Sequence, residues 1–194
     1  MIVNYIYYLA NQARCLLPIR LLIEIYTVYV SILYIEIPCN KLALEIEWAY
    51  RQEDLANSTE QTVQQTNAQV QLLPKNAKAQ LGVPYKWAGT DPSGFDCSGF
   101  TSYVFEQAAI QIPRRAVEQY TYCKPVAPTE ACAGGLVFFS NGGEVNHVGL
   151  LISAKGAPKQ MIHASSSIGI SIVDVDASAY WSARIVGYGR VPKN

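Results

Sequence analysis

The apolar and polar positions of this chain fall into three stretches of different character. From residue 72 onward the pattern is that of a packed domain. Residues 74–81 carry a short helical pattern stopped by Gly82, with Pro84 just beyond. A loop dense in Gly, Pro, Asp and Ser follows over 88–96. A helical period then opens at Cys97, with Phe100, Tyr103, Val104 and Ala108 at i, i+3, i+4 and i+8 on one face. Further on the period becomes that of strands, over 136–140, 147–153, 160–164, 170–173 and 185–191. Turn-forming residues at 141–143 and 155–158 separate several of them. Helices followed by a run of strands predict an α+β domain with an antiparallel sheet.

The first 71 residues read differently. Residues 21–37, LLIEIYTVYVSILYIEI, are long and apolar but interrupted by Glu24 and Glu36. A membrane-spanning helix wants about 20 apolar residues with few charges. Arg14 and Arg20 precede the run, as in a signal anchor, yet its Ile, Val, Thr and Tyr content equally fits a strand. A membrane anchor and a packed structural extension are both open, with a misassigned start of the reading frame as a third reading. No small-residue cleavage site follows the run, and Ile-Pro stands before Cys39 where a lipid-bearing cysteine has small residues. Residues 51–71, rich in Gln, Asn and Thr, bury little and suit a solvated helix or a tether. The expected division is therefore an apolar segment over 1–50, a polar linker or helix over 51–71, and a catalytic domain over 72–194.

Composition narrows the classes. Half the residues are hydrophobic and 15% are charged, which excludes disorder for most of the chain. The net charge of zero and pI near 6.7 offer no basic surface for a nucleic acid. Five cysteines leave at least one unpaired if the others pair within the chain. None forms a CxxC motif, and the spacings do not resemble a zinc ribbon. Cys123 and Cys132 either close a disulfide or remain buried thiols.

The chemistry-bearing residues are few. Cys97 follows a Gly-rich loop and opens a helix, where unpaired amides and the macrodipole favour an anion and lower a thiol pKa. Such a thiol is a nucleophile, particularly beside a histidine; a structural cysteine is the alternative. The only two histidines, His147 and His163, lie on what reads as one β-hairpin with its turn near Lys155 and Gly156. That register makes them cross-strand partners, opposite or diagonal, the diagonal spacing being about 7–8 Å. A cysteine, a histidine base and a residue that orients the base form the usual acyl-transfer arrangement. A zinc site of Cys97 and both histidines lacks the local ligand spacing usual for that metal.

At these residues the chain resembles the NlpC/P60 cysteine peptidases. GVPYKWAGTDPSGFDCSGFTSYVFEQAAIQIPR resembles their nucleophile motif, GGLVFFSNGGEVNHVGLLIS their first histidine motif, and MIHASSSIGISIV the second. AYWSARIVGYGRV resembles the closing strand of the small murein endopeptidases, and the likeness covers 72–192. The resemblance implies a papain-like fold, with the nucleophile helix packed on an antiparallel sheet that bears both histidines. It implies a Cys97, His147 and His163 triad acting through a thioester. Tyr85 would line the site and donate to the oxyanion, with the Cys97 amide as the other donor. Asp96 would receive the amine of the substrate's terminal alanine, with Ser98 bordering that subsite; Asp96 also fits a helix N-cap. Trp87 reads as a core aromatic, and Arg114 as either a residue near the site or a solvated charge. Three positions depart from the family pattern: Ala88 for a glycine, Gly135 for an aspartate, and Ala116 for a Ser or Thr.

The implied function is hydrolysis of peptide bonds in bacterial peptidoglycan stem peptides, without metal or organic cofactor. The implied location is the bacterial cell envelope or outside the cell, with membrane association through the N-terminal segment if that is an anchor. Two alternatives belong to other classes: a non-catalytic wall-binding module, and a thiol amidase or acyltransferase on the same scaffold.

Overall fold

The computed structural model describes residues 39–192. The apolar run at 21–37, its anchor and strand alternatives, and Cys15 lie outside the described residues. The chain divides into two compact units, Met1–Val63 and Gln64–Asn194.

Helix α1 is Cys39–Lys78. The polar stretch at 51–71 is therefore helix rather than tether, as its Gln, Glu, Ala and Leu content favours. Over 47–63 its surface is largely solvated: Arg51 pairs with Glu47 four residues earlier, and Thr59 donates to the Leu55 carbonyl. The short helix expected to begin at Pro74 is not separate, because α1 runs through that proline. Among the described residues no helix is long and apolar enough to cross a membrane.

The second unit holds the remaining elements. A two-stranded ribbon, β1 (Thr90–Asp91) and β2 (Gly94–Phe95), leads into α2 (Cys97–Glu106) and α3 (Ala116–Tyr122). Six strands follow: β3 (Lys124–Val126), β4 (Leu136–Phe139), β5 (His147–Leu151), β6 (Gln160–Ser165), β7 (Gly169–Asp174) and β8 (Ile185–Arg190). A four-residue helix, α4 (Ala179–Ser182), precedes β8. The strands form one antiparallel sheet in the order β3-β8-β4-β5-β6-β7. The α+β class and the helix-on-sheet arrangement expected from the residue pattern are both present. The short elements β3, α3 and α4 were not foreseen, because three to seven residues are too few to display a period.

Alternation along the strands builds a core on each face. Leu136, Phe138, Val148, Leu150, Ile162 and Ala164 pack with Phe100, Val104 and Phe105 of α2 and with Leu73 and Ala77 of α1. Val137, Phe139, Leu151 and Met161 face the other way, beneath Val175 and Trp181. This explains the unbroken run Leu-Val-Phe-Phe in β4, whose four residues are all buried. Burying each such side chain stabilises the fold by about 1.5–3 kcal/mol. The sheet therefore holds its own position and can present side chains from its inner strands rigidly.

Cys123 and Cys132 carry free thiols, so the disulfide considered for them is not made. Cys123 is buried, which pushes its thiol up to about 12. The Cys132 sulfur accepts from Arg190 at 3.0 Å.

Ala88 holds φ at 58° in the loop before the ribbon, a conformation that suits glycine and strains a residue with a Cβ. Ala88→Gly is expected to raise stability by about 0.5–1 kcal/mol, net of the entropy glycine loses on folding. Thermal denaturation checks this; an unchanged or lowered midpoint would show that the loop relaxes without it.

Candidate active site

The site starts from the beginning of α2. Asp96 adopts an extended conformation (φ −89°, ψ 176°) and caps the helix, its carboxylate accepting from the Gly99 amide at 2.7 Å. The helix can begin here only because residue 99 is glycine: a Cβ there would run into the Gly89 carbonyl oxygen. The same carbonyl accepts from the Asp96 amide at 3.1 Å, so the loop and the helix start are locked together.

Arg114 completes the lock. Its Nη1 donates to Asp96 Oδ1 at 3.0 Å and its Nη2 to Oδ2 at 2.6 Å, a bidentate pair. Nη1 also donates to Ser98 Oγ at 2.9 Å. Arg114 is thus not a free surface charge, and Asp96 pushes its guanidinium pKa further up. Asp96 is indeed an N-cap, but its carboxylate is already shared between an amide and a guanidinium. Behind it, fully buried Gln119 ties α3 to the first turns of α2. Its Nε2 donates to the carbonyls of Ser98 at 3.1 Å and Pro113 at 2.8 Å, and its Oε1 accepts from Thr101 at 2.9 Å. Nothing in the sequence singled out Gln119, since a lone glutamine on a short helix has no pattern.

The histidines come from the sheet. Leu150 pairs with Ile162 and Leu151 with Met161, centring the β5–β6 hairpin on Gly156. Continuing that register sets Gly149 opposite His163 and makes the two histidines diagonal neighbours. They meet as expected: His147 Nε2 lies 2.9 Å from His163 Nδ1. Both stand on the face that carries Phe139 and Trp181, opposite the face that α2 covers. Trp181 stacks on the His147 ring (27°, centroids 5.0 Å apart) and meets His163 edge-on at 4.9 Å. The sequence reading missed Trp181; its one signal is a large aromatic within a short polar connection.

Cys97 stands at the tip of its helix, with Sγ 3.9 Å from the Asn146 carbonyl oxygen, one residue before His147. Cys97, His147, His163, Tyr85, Asp96 and Ser98 all line one cavity of about 890 Å³. The six residues singled out from sequence are therefore brought together. Trp87 is a correction: it stands in the turn at 87–88 on the cavity wall, is 84% exposed and packs in neither core. Among the described residues no group of three or more His, Cys, Asp and Glu side chains is placed to hold a metal ion.

The electrostatics also differ from expectation. The amides of Val148, Ser98 and Cys97 act to lower the thiol pKa, but burial and then the neighbouring Asp96 outweigh them and raise it. Burial likewise raises Tyr85, with Cys97 and Asp96 adding to it. His147 is pushed down to about 3, by burial first and His163 second, and His163 to about 4 by burial. Thiol and imidazoles are thus all held neutral near pH 7.

This arrangement has a consequence for stability. Below about pH 6.5 the unfolded chain takes up protons on both histidines that the folded chain refuses, so stability is complete above that pH. It is then lost as pH falls toward 4, by up to about 1.4 kcal/mol per pH unit for each histidine. Thermal unfolding between pH 7 and 4.5 should therefore fall more steeply for the wild type than for His147→Gln/His163→Gln. Equal slopes would show that the folded protein protonates both rings freely.

Comparison with known proteins bears on the family and the fold. The pattern of the NlpC/P60 family matches residues 82–190. The probable endopeptidase p60 of Listeria grayi is 38% identical over 135 residues, covering 70% of this chain and 25% of that protein. The bifunctional muramidase/DL-endopeptidase CwlT of Bacillus subtilis is 38% identical over 125 residues, covering 62% of this chain and 36% of CwlT. This chain thus spans about a quarter to a third of the length of those two relatives. Among solved structures, the peptidoglycan hydrolase RipB of Mycobacterium tuberculosis superposes with a TM-score of 0.54 at 31% identity, covering 66% of this chain and 67% of RipB. From residue match and fold together, the chain belongs to the NlpC/P60 family.

Proposed function

We propose that this protein hydrolyses a peptide bond in the stem peptides of bacterial peptidoglycan, with Cys97 as nucleophile. The bond lies between D-glutamate and the diamino acid, or between the diamino acid and D-alanine. The observation that carries this reading is the 2.9 Å contact between His147 and His163 in the cavity that also holds Cys97. Relatives named for endopeptidase and peptidoglycan-hydrolase activity support the substrate class. That substrate places the protein outside the cytoplasm.

On this reading the two ring nitrogens of His147 have separate roles. With His147 Nε2 engaged by His163 Nδ1, Nδ1 is the His147 nitrogen left to take the thiol proton. His147 Nε2–H then donates to His163, which holds the ring in that tautomer and orientation. Because thiol and imidazole are both neutral at rest, the proton moves to His147 as sulfur attacks the carbonyl carbon. The carbonyl oxygen becomes an oxyanion, received by the Tyr85 hydroxyl and the Cys97 amide. His147 returns the proton to the departing amine, leaving a thioester on Cys97. Water, deprotonated by His147, adds to the thioester and releases the acid and the thiol. Asp96, kept in place by Arg114, and Ser98 receive the amine of the substrate's terminal residue. No step draws on a metal or organic cofactor.

Cys97→Ala is expected to lower turnover of defined muropeptides by at least about a thousandfold, read as cleavage products by mass spectrometry. Comparable cleavage by wild type and variant would remove Cys97 from the chemistry. The neutral resting pair gives a second expectation. Alkylation of Cys97 by iodoacetamide, followed on its own peptide, should still accelerate as pH rises above 8. A rate already flat by pH 7 would point instead to a preformed thiolate.

A further inference from the structure

The cavity carries three guanidinium groups with different surroundings. Arg114 is bound by the Asp96 carboxylate. Arg115 lies 3.8 Å from Glu118. Arg184 has no carboxylate partner among the described residues, yet it is held firmly. Its Nε donates to Asn141 Oδ1 at 3.0 Å and its Nη1 to the Tyr180 carbonyl at 2.7 Å. Its guanidinium carbon sits 3.8 Å over the Tyr180 ring. Carbonyl oxygens and an aromatic face orient a cation without neutralising it. An arginine fixed this way on a cavity wall is preorganised for a planar anion, which it binds through paired N–H groups.

Its location says which part of a substrate meets it. Arg184 adjoins α4, whose Trp181 is stacked on His147. The Asp96 and Arg114 pair belongs instead to the start of α2. The amine released on cleavage must lie beside the histidine that protonates it, so the residue carrying that amine lies against the Trp181 wall. We propose that Arg184, oriented by Asn141 and Tyr180, is a specificity residue that binds a carboxylate on the leaving-group side of the scissile bond. The preferred substrate is then a stem peptide whose leaving residue carries a free carboxylate, such as a diamino acid bearing a second one, rather than its amide. This rests on the hydrolase reading above and deepens it.

The test uses two synthetic stem peptides that differ only in a free or amidated carboxylate on that residue. Binding is measured by calorimetry to full-length Cys97→Ala, Cys97→Ala/Arg184→Gln and Cys97→Ala/Arg184→Lys, and hydrolysis by the wild type is followed in parallel. Cys97→Ala should bind the acid about tenfold more tightly than the amide. Arg184→Gln should erase that preference by weakening the acid alone, and Arg184→Lys should keep part of it. Equal affinity for acid and amide, binding of neither, or a preference that survives Arg184→Gln each overturns the proposal. If Arg184→Gln does not fold, the acid–amide comparison in Cys97→Ala and in the lysine variant still decides. An acid preference that depends on Arg184, with no hydrolysis by the wild type, would remove the hydrolase reading and leave the anion subsite standing.

Discussion

The carboxylate of Asp96 is the point from which the site is built. One side chain caps α2 through the Gly99 amide and is gripped on both oxygens by Arg114. Three segments converge on it: the 88–96 loop, the first turn of α2, and the bend that leads into α3. Remove the carboxylate and Arg114 is left partly buried without a counterion, while the helix loses the cap that sets where it starts. Cys97 is the first residue after that cap, so its position is a consequence of the same interaction. Gln119 reinforces the arrangement from behind by donating to the Ser98 and Pro113 carbonyls.

A second constraint is burial. The histidine pair is walled by Phe139 and Trp181, and Cys97 sits deep enough that burial outweighs three amides in setting its pKa. The thiol and both imidazoles are therefore most stable uncharged. For the proposed hydrolysis, charge appears only as the proton crosses from sulfur to imidazole and as the carbonyl oxygen turns anionic. Donors fixed beside buried groups act most strongly at that stage. The same burial that disfavours a resting thiolate thus strengthens whatever stabilises the reacting one.

The sheet supplies rigidity by being buried on both faces at its centre. Its helix-covered side anchors α2, while its other side carries the histidines, so Cys97 and the histidine pair come from opposite faces to line one cavity. Neither group depends on a long loop for its position. The loops that do border the cavity bring instead residues that vary its charge, with Arg184 on one wall and Asp96 with Arg114 on the other.

The sequence by itself determined what is local along the chain. Periodicity located the five main strands and the start of α2, and turn chemistry at Lys155 and Gly156 located the hairpin centre, from which the diagonal pairing of His147 and His163 follows. Tertiary structure alone decided that Trp87 is exposed, that Trp181 packs on the histidines, that Arg114 grips Asp96, and that the Cys97 thiol is raised rather than lowered. Cys97 and Asn146 are 49 residues apart in sequence yet 3.9 Å apart in contact. A side chain's burial, its pKa and its charge partner depend on such distant segments. Periodicity and turn preference arise from neighbouring residues, and so they alone are written where the chain can be read one stretch at a time.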